Sequence, residues 1–154
     1  MKTKTTLVAL ALSLAVAAVC LAASPQIGTW QLNEGKSKFS PGAAKNKTVV
    51  YQAAGDSMKV IVDGIDGAGK ATHNEWTGKF DGKDYAVKGD PNFDTRAYKQ
   101  VNDRTLDMTL KKGGKVVGTG KIAVSADGKN RTVSTSTTDA KGKKSNNTAV
   151  YDKK

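Results

Sequence analysis

The chain has 154 residues, with 25 Lys and Arg against 14 Asp and Glu, a formal charge of +11 and a pI near 9.7. A single histidine, His73, and a single cysteine, Cys20, are too few for a zinc or haem site or for an intrachain disulfide. The basic excess is mostly lysine scattered over the whole chain, with arginine only at 96, 104 and 131. It reads as solvated strand faces and lysine-protected edges, with no Arg-rich stripe of the kind a nucleic-acid module carries.

Residues 1–24 have the pattern of an export signal. Lys2 and Lys4 precede an apolar run from Leu7 to Leu21, and Ala22, Ala23 and Ser24 follow as a cleavage region. The run is shorter than a membrane span needs, and no Lys or Arg follows it before Lys36. Cys20 sits in Ala17-Ala18-Val19-Cys20, which departs from a lipoprotein box. The expectation is a periplasmic or secreted chain without a membrane span, folded as one domain over residues 25–154.

From residue 54 onward turn signals recur at short intervals. Among them are Asp66-Gly67-Ala68-Gly69, Asp81-Gly82, Asp90-Pro91-Asn92, Gly113-Gly114 and Asp127-Gly128. Asp-Gly and Gly-Gly accept the positive φ angles of tight hairpins, and the runs between them alternate polar with apolar residues. In chain order the pattern predicts strands at 28–33, 47–53, 58–64, 71–80, 85–88, 95–101, a seventh around Leu106, Met108 and Leu110, then 115–125, 131–138 and 146–152. A bulge is expected at Asp63-Gly64 and a bend at Gly118 and Gly120. The loop from Glu34 to Asn46 is the longest non-strand stretch, with room for one helical turn. No other helix is expected. Since nearly every connection is a hairpin, the expected fold is all-β: an antiparallel up-and-down meander of eight to ten strands closed into a barrel.

Gly28-Thr29-Trp30, opening this meander, resembles the Gly-x-Trp signature of lipocalins and related calycin barrels, and the chain is similar to small exported bacterial proteins described as lipocalin-like. The resemblance implies that Trp30 plugs one barrel end and that a basic residue of a late strand packs across its indole. Arg131 is the candidate. Read without the family, Trp30 is a core residue after a flexible glycine.

Alternation places Asn74, Trp76 and Phe80 on one face of the fourth strand and Arg96 and Tyr98 on one face of the sixth. With Tyr85 and Met108 they form the candidate ligand-binding set, an aromatic and apolar wall with a few polar anchors. In that set Arg96 is suited to a carboxylate or phosphate head group. The bland alternative is a solid barrel in which Trp76 and Phe80 are filler and Arg96 faces solvent. His73 and Glu75 share the opposite, outer face, with no nucleophile beside them. Asp90, Asn92 and Asp94 have calcium-loop spacing, but Thr95 and Val101 stand where the loop needs Gly and Glu. The expected function is non-catalytic and cofactor-free: a monomeric exported barrel for a small hydrophobic or amphipathic ligand. The alternative is a solid-cored envelope or secreted interaction protein whose lysines contact anionic partners.

Overall fold

The computed structural model describes residues 24–154; the segment expected to be an export signal, with Cys20, lies outside the described residues, apart from Ser24. Ten strands follow one another in a closed antiparallel barrel: β1 (Gly28–Leu32), β2 (Lys45–Ala54), β3 (Ser57–Ile65), β4 (Ala71–Gly78), β5 (Tyr85–Lys88), β6 (Thr95–Asn102), β7 (Thr105–Lys112), β8 (Lys115–Val124), β9 (Asn130–Thr138) and β10 (Lys144–Lys153). Each strand pairs with its sequence neighbours, and β1 closes the ring on β10 through Trp30 opposite Lys153, Gln31 opposite Asp152 and Leu32 opposite Tyr151. The barrel is thus of the lipocalin-like class, with no free sheet edge.

Sequence chemistry explains the turns. Gly82, Gly113, Gly114, Gly128 and Gly142 all take the positive φ that a tight connection demands. Asp66 and Asp139 each accept two backbone N–H groups of their own turns. In the β1–β2 connection a 3-10 turn spans Glu34–Lys36, capped by the Asn33 side chain, which accepts from the Lys36 N–H at 3.2 Å.

Two local expectations need correction, and a third gains a physical reason. The extra residue lies in β2, where the register shifts between Asn46 and Thr48; Asp63 and Gly64 are the regular partners across from it. Strand β4 ends at Gly78, so Phe80 stands in the following connection, and the Phe80 carbonyl accepts from the Gln100 N–H. The bend expected at Gly118 and Gly120 has a counterpart in a register shift beside Gly118, where Leu110 faces Gly118 and Lys111 faces Val116, and neither glycine has a positive φ. They also leave space: a Cβ on Gly120 would stand 2.8 Å from Met108 Cε and 2.8 Å from the Ser134 carbonyl oxygen.

In a meander the connections alternate between the two ends of the barrel. One end carries the first residues described, the β2–β3, β4–β5, β6–β7 and β8–β9 turns, and Lys154. It is closed. Gln26 is buried across it, its amide donating to the Arg104 carbonyl at 3.3 Å, while the Trp30 indole N–H donates to the Gln26 carbonyl at 2.8 Å. At the other end, the mouth, the inward-facing threonines of β9, Thr135 and Thr137, are only half-buried. The core between them is built from Trp30, Val49, Tyr51, Met58, Val60, Val62, Trp76, Tyr98, Leu106 and Ile122.

Candidate functional site

The barrel interior holds two arginines. Arg131 is 3% exposed and Arg96 is 4% exposed, and none of the ion pairs among the described residues includes either. A buried charge without an opposite charge is costly, so its surroundings decide what it is for.

Arg131, near the closed end on β9, is held by aromatic faces. Its guanidinium carbon lies 4.7 Å from the Tyr51 ring centroid, 5.3 Å from that of Tyr151 and 5.6 Å from that of Trp30. The contact with Trp30 is the one the Gly-x-Trp resemblance implied. The two tyrosine faces were not legible beforehand, because they come from β2 and β10, which only ring closure brings beside β9. Cation–π attraction compensates part of the desolvation. It satisfies no N–H, and Nε and Nη1 of Arg131 have no hydrogen-bond partner among the described residues.

Arg96 lies nearer the mouth, because β6 enters the barrel there. Its Nη1 donates to the Tyr98 hydroxyl at 3.3 Å and its Nη2 to Oδ1 of Asn74 at 3.2 Å. The Phe93 ring packs on the guanidinium at 5.1 Å, and Nε is left without a partner. Asn74 in turn donates to Asp90 at 3.3 Å, so the nearest carboxylate in this chain of bonds reaches Arg96 only through an amide. The Arg96, Tyr98 and Asn74 cluster is the part of the predicted ligand set that the fold joins by hydrogen bonds between side chains.

Tyr51 and Tyr151, whose rings pack on Arg131, supply no negative charge. Tyr51 and Tyr98 bring their hydroxyls to 3.4 Å from each other. Burial pushes the Tyr51 phenol well above its ordinary value, despite the opposing pull of Arg131. The Tyr151 phenol is pushed up to about 12, again by burial, and its hydroxyl donates to the Asn46 carbonyl at 3.0 Å. Both are neutral at physiological pH, so they act as hydrogen-bonding walls and leave the guanidinium charge uncancelled.

The remaining predicted residues form the aromatic floor. Trp76 is 1% exposed, and its indole N–H donates to the Arg96 carbonyl at 2.8 Å. Tyr98 packs edge-on against it at 4.8 Å, Tyr85 edge-on at 5.7 Å and Phe80 stacks at 6.4 Å. Tyr85 is half-buried and its hydroxyl reaches Asp81, so its polar end points out of the barrel. Met108 is the cross-strand partner of both Tyr98 and Gly120, so it links the aromatic floor to the wall formed by β8 and β9. That wall is small and smooth: Gly118, Gly120, Thr135 and Thr137 face inward from β8 and β9.

The other sequence candidates are elsewhere. His73 is on the outer face, 2.7 Å from Asp63 and 3.6 Å from Glu75, which also holds Lys59 at 3.1 Å. Asp90 and Asp94 accept the backbone N–H groups of Asn92 and Gly113, which makes them turn caps. A cleft of about 440 Å³ near Asn102, Arg104 and Val124 sits at the closed end, away from the arginines.

No protein-family model and no curated protein matches the chain. Among solved structures it is similar to EF1p2_mFAP2b bound to DFHBI, with a TM-score of 0.51 and 14% identity, over 86% of this chain and 97% of that one. It is also similar to mFAP1, a redesigned β-barrel bound to DFHBI, with a TM-score of 0.48 and 15% identity, over 86% and 98%. At such identities the first of these likenesses bears on the fold alone: the chain is a ten-stranded antiparallel barrel of a kind seen in solved structures.

Proposed function

We propose that the protein is a non-catalytic, monomeric binding protein for a small amphipathic molecule carrying an acidic group. The observation that supports this best is the pair of buried guanidiniums, Arg96 and Arg131, with unpaired N–H groups, neutral phenols and no carboxylate partner. A barrel built only to be solid gains nothing from two uncancelled charges in its core. A carboxylate or phosphate entering from the mouth meets Arg96 first, with the Tyr98 hydroxyl and the Asn74 amide beside it. Its apolar part then lies against Met108 and the small β8–β9 wall. That EF1p2_mFAP2b, similar in fold, is bound to DFHBI agrees with a barrel of this design holding a small molecule. Export from the cytoplasm, read from residues 1–24, completes the proposal.

The experiment is a titration with matched amphiphiles, a long-chain acid and the corresponding alcohol, followed by calorimetry. The acid binds more tightly, and Arg96→Gln removes the preference by lowering acid affinity about tenfold or more while changing alcohol affinity little. Native mass spectrometry of protein purified from its own host tests the same reading by looking for a bound acid. Absence of saturable binding across the panel, together with a bare mass, overturns it.

A further inference from the structure

The molecule's positive charge is not spread evenly between the two ends of the barrel. At the mouth, residues 33–47, 66–70, 88–95, 111–115 and 139–144 carry twelve lysines and five carboxylates. At the closed end, residues 54–57, 79–83, 99–104, 125–129 and 152–154 carry seven basic and five acidic side chains, while Asp84, just before β5, pairs with Lys111 of the mouth set. Scatter along the sequence becomes polarity in space because successive hairpins point to opposite ends, and the lysine-rich turns are the alternate ones.

The few acids at the mouth are already engaged. Asp66 and Asp139 cap their own turns, Asp94 accepts from Gly113 N–H, and Glu34 pairs with Lys45 and Lys47. Among the described residues, eight of the twelve mouth lysines are in no ion pair, and two neighbouring hairpins hold five of these eight. The β7–β8 tip carries Lys112 and Lys115, and the β9–β10 tip carries Lys141, Lys143 and Lys144, none of them in an ion pair among the described residues. These tips are adjacent because β8 pairs with β9. Val116, directly after Lys115, is 58% exposed, and among the described residues Val101 is the one other exposed large hydrophobic residue.

We infer that the mouth is a docking surface for an anionic lipid bilayer, with the β7–β8 and β9–β10 tips in contact. Adjacent tips of lysine around one exposed valine suit a flat, negatively charged surface with an apolar interior: the ammonium groups reach the head groups and Val116 enters between them. Nucleic acid is the weaker fit. The tips offer compact ammonium charges without arginine forks, and the two phenylalanines at this end are not free for base stacking, since Phe39 lies under Lys45 and Phe93 under Arg96. This inference does not depend on what the barrel holds.

Vesicle flotation tests it, with phosphatidylcholine alone and phosphatidylcholine mixed with phosphatidylglycerol. The full chain partitions more strongly onto the mixed vesicles, and added salt weakens this as the screening length shrinks. Any contribution of the apolar N-terminal segment is common to all variants and shows on neutral vesicles. Replacing Lys112, Lys115 and Lys143 together by Glu lowers partitioning on the mixed vesicles about tenfold or more. The matched closed-end variant, Lys83→Glu with Lys99→Glu and Lys129→Glu, has the same net charge and changes it less than about twofold. Circular dichroism verifies that both remain folded; if the mouth variant does not, the corresponding Gln substitutions replace it. Equal losses in the two variants overturn the inference, because net charge then suffices. Tighter retention on short duplex DNA than on mixed vesicles at equal salt also overturns it. Neither result bears on the titration of interior ligands, which reads a different site.

Discussion

The Arg131 guanidinium stacks 4.7 Å from the Tyr51 ring centroid, yet two of its nitrogens have nothing among the described residues to receive their hydrogens. Breaking a buried ion pair strands the partner charge, but here there is no partner to strand. Arg131→Met therefore costs less than the 3–5 kcal/mol typical of losing one side of a buried pair. Arg131→Lys puts a compact, strongly hydrated ammonium in the same place without the planar stacking. Urea unfolding is expected to rank the methionine variant above the lysine variant by about 1 kcal/mol or more. The reverse order would mean that the cation holds the barrel together in a way the aromatic contacts do not express.

The β7–β8 wall is sensitive to volume and charge. Met108→Lys places an ammonium among Gly120, Leu106 and Ile122 with no carboxylate at hand, and a loss of several kcal/mol in urea unfolding follows. Gly120→Ala is a finer probe. The added Cβ meets Met108 Cε, which can swing away, and the Ser134 carbonyl oxygen, which belongs to the paired strand and cannot. Overpacking of this kind costs about 1–3 kcal/mol. A neutral Gly120→Ala would show that β8 and β9 can separate locally without penalty.

Most of the fold was legible because each hairpin announces itself locally. An Asp-Gly or Gly-Gly pair supplies the turn, and Leu106, Met108 and Leu110 show the face. What the residues hide is what depends on pairing across strands. The bulge belongs to Lys47 because β2 must shift against β3, and nothing in Lys45-Asn46-Lys47 announces it. Phe80 continues the alternation of β4 in sequence yet lies past its end, where it still stacks on Trp76. The inward direction of Arg96 was legible from its spacing to Tyr98. Its lack of a carboxylate was not, since that requires knowing that Asp90 stops at Asn74. The polarity of the lysines was likewise present in the sequence but emerges only once alternate turns are assigned to opposite ends.

On the outer face, the hydrogen bond that His73 donates to the Asp63 carboxylate raises the His73 pKa above its ordinary value, with Glu75 adding to the effect and Lys59 drawn to the Glu75 carboxylate. A group whose folded pKa is raised contributes stability that is complete below the unfolded value near 6.5 and is lost as pH rises through the folded value. The unfolding midpoint of the wild type is therefore expected to fall relative to His73→Gln between about pH 6.5 and the folded midpoint, and to run parallel to it at lower pH. Ring-proton NMR reads the midpoint directly, and Asp63→Asn returns it toward 6.5. An unshifted wild-type titration would mean that the Asp63 contact is not populated in solution.

The two tryptophans report on different halves of the interior. Trp76 donates to the Arg96 carbonyl and lies edge-on to Tyr98, so an acid seated on Arg96 alters its surroundings. Trp30 sits at the closed end, spends its N–H on Gln26 and faces Arg131 and Lys153. Both are enclosed, so acrylamide quenches neither efficiently in the unliganded protein. Titration with a long-chain acid is expected to change the emission of wild type and of Trp30→Phe alike, while Trp76→Phe loses the signal but keeps the calorimetric binding. Trp30→Phe lowers stability by about 1–3 kcal/mol through its buried indole hydrogen bond and the cation–π contact. If the signal survives in Trp76→Phe and disappears in Trp30→Phe, the acid passes Arg96 and comes to rest on the two unpaired nitrogens of Arg131, and the head-group site moves to the closed end of the barrel.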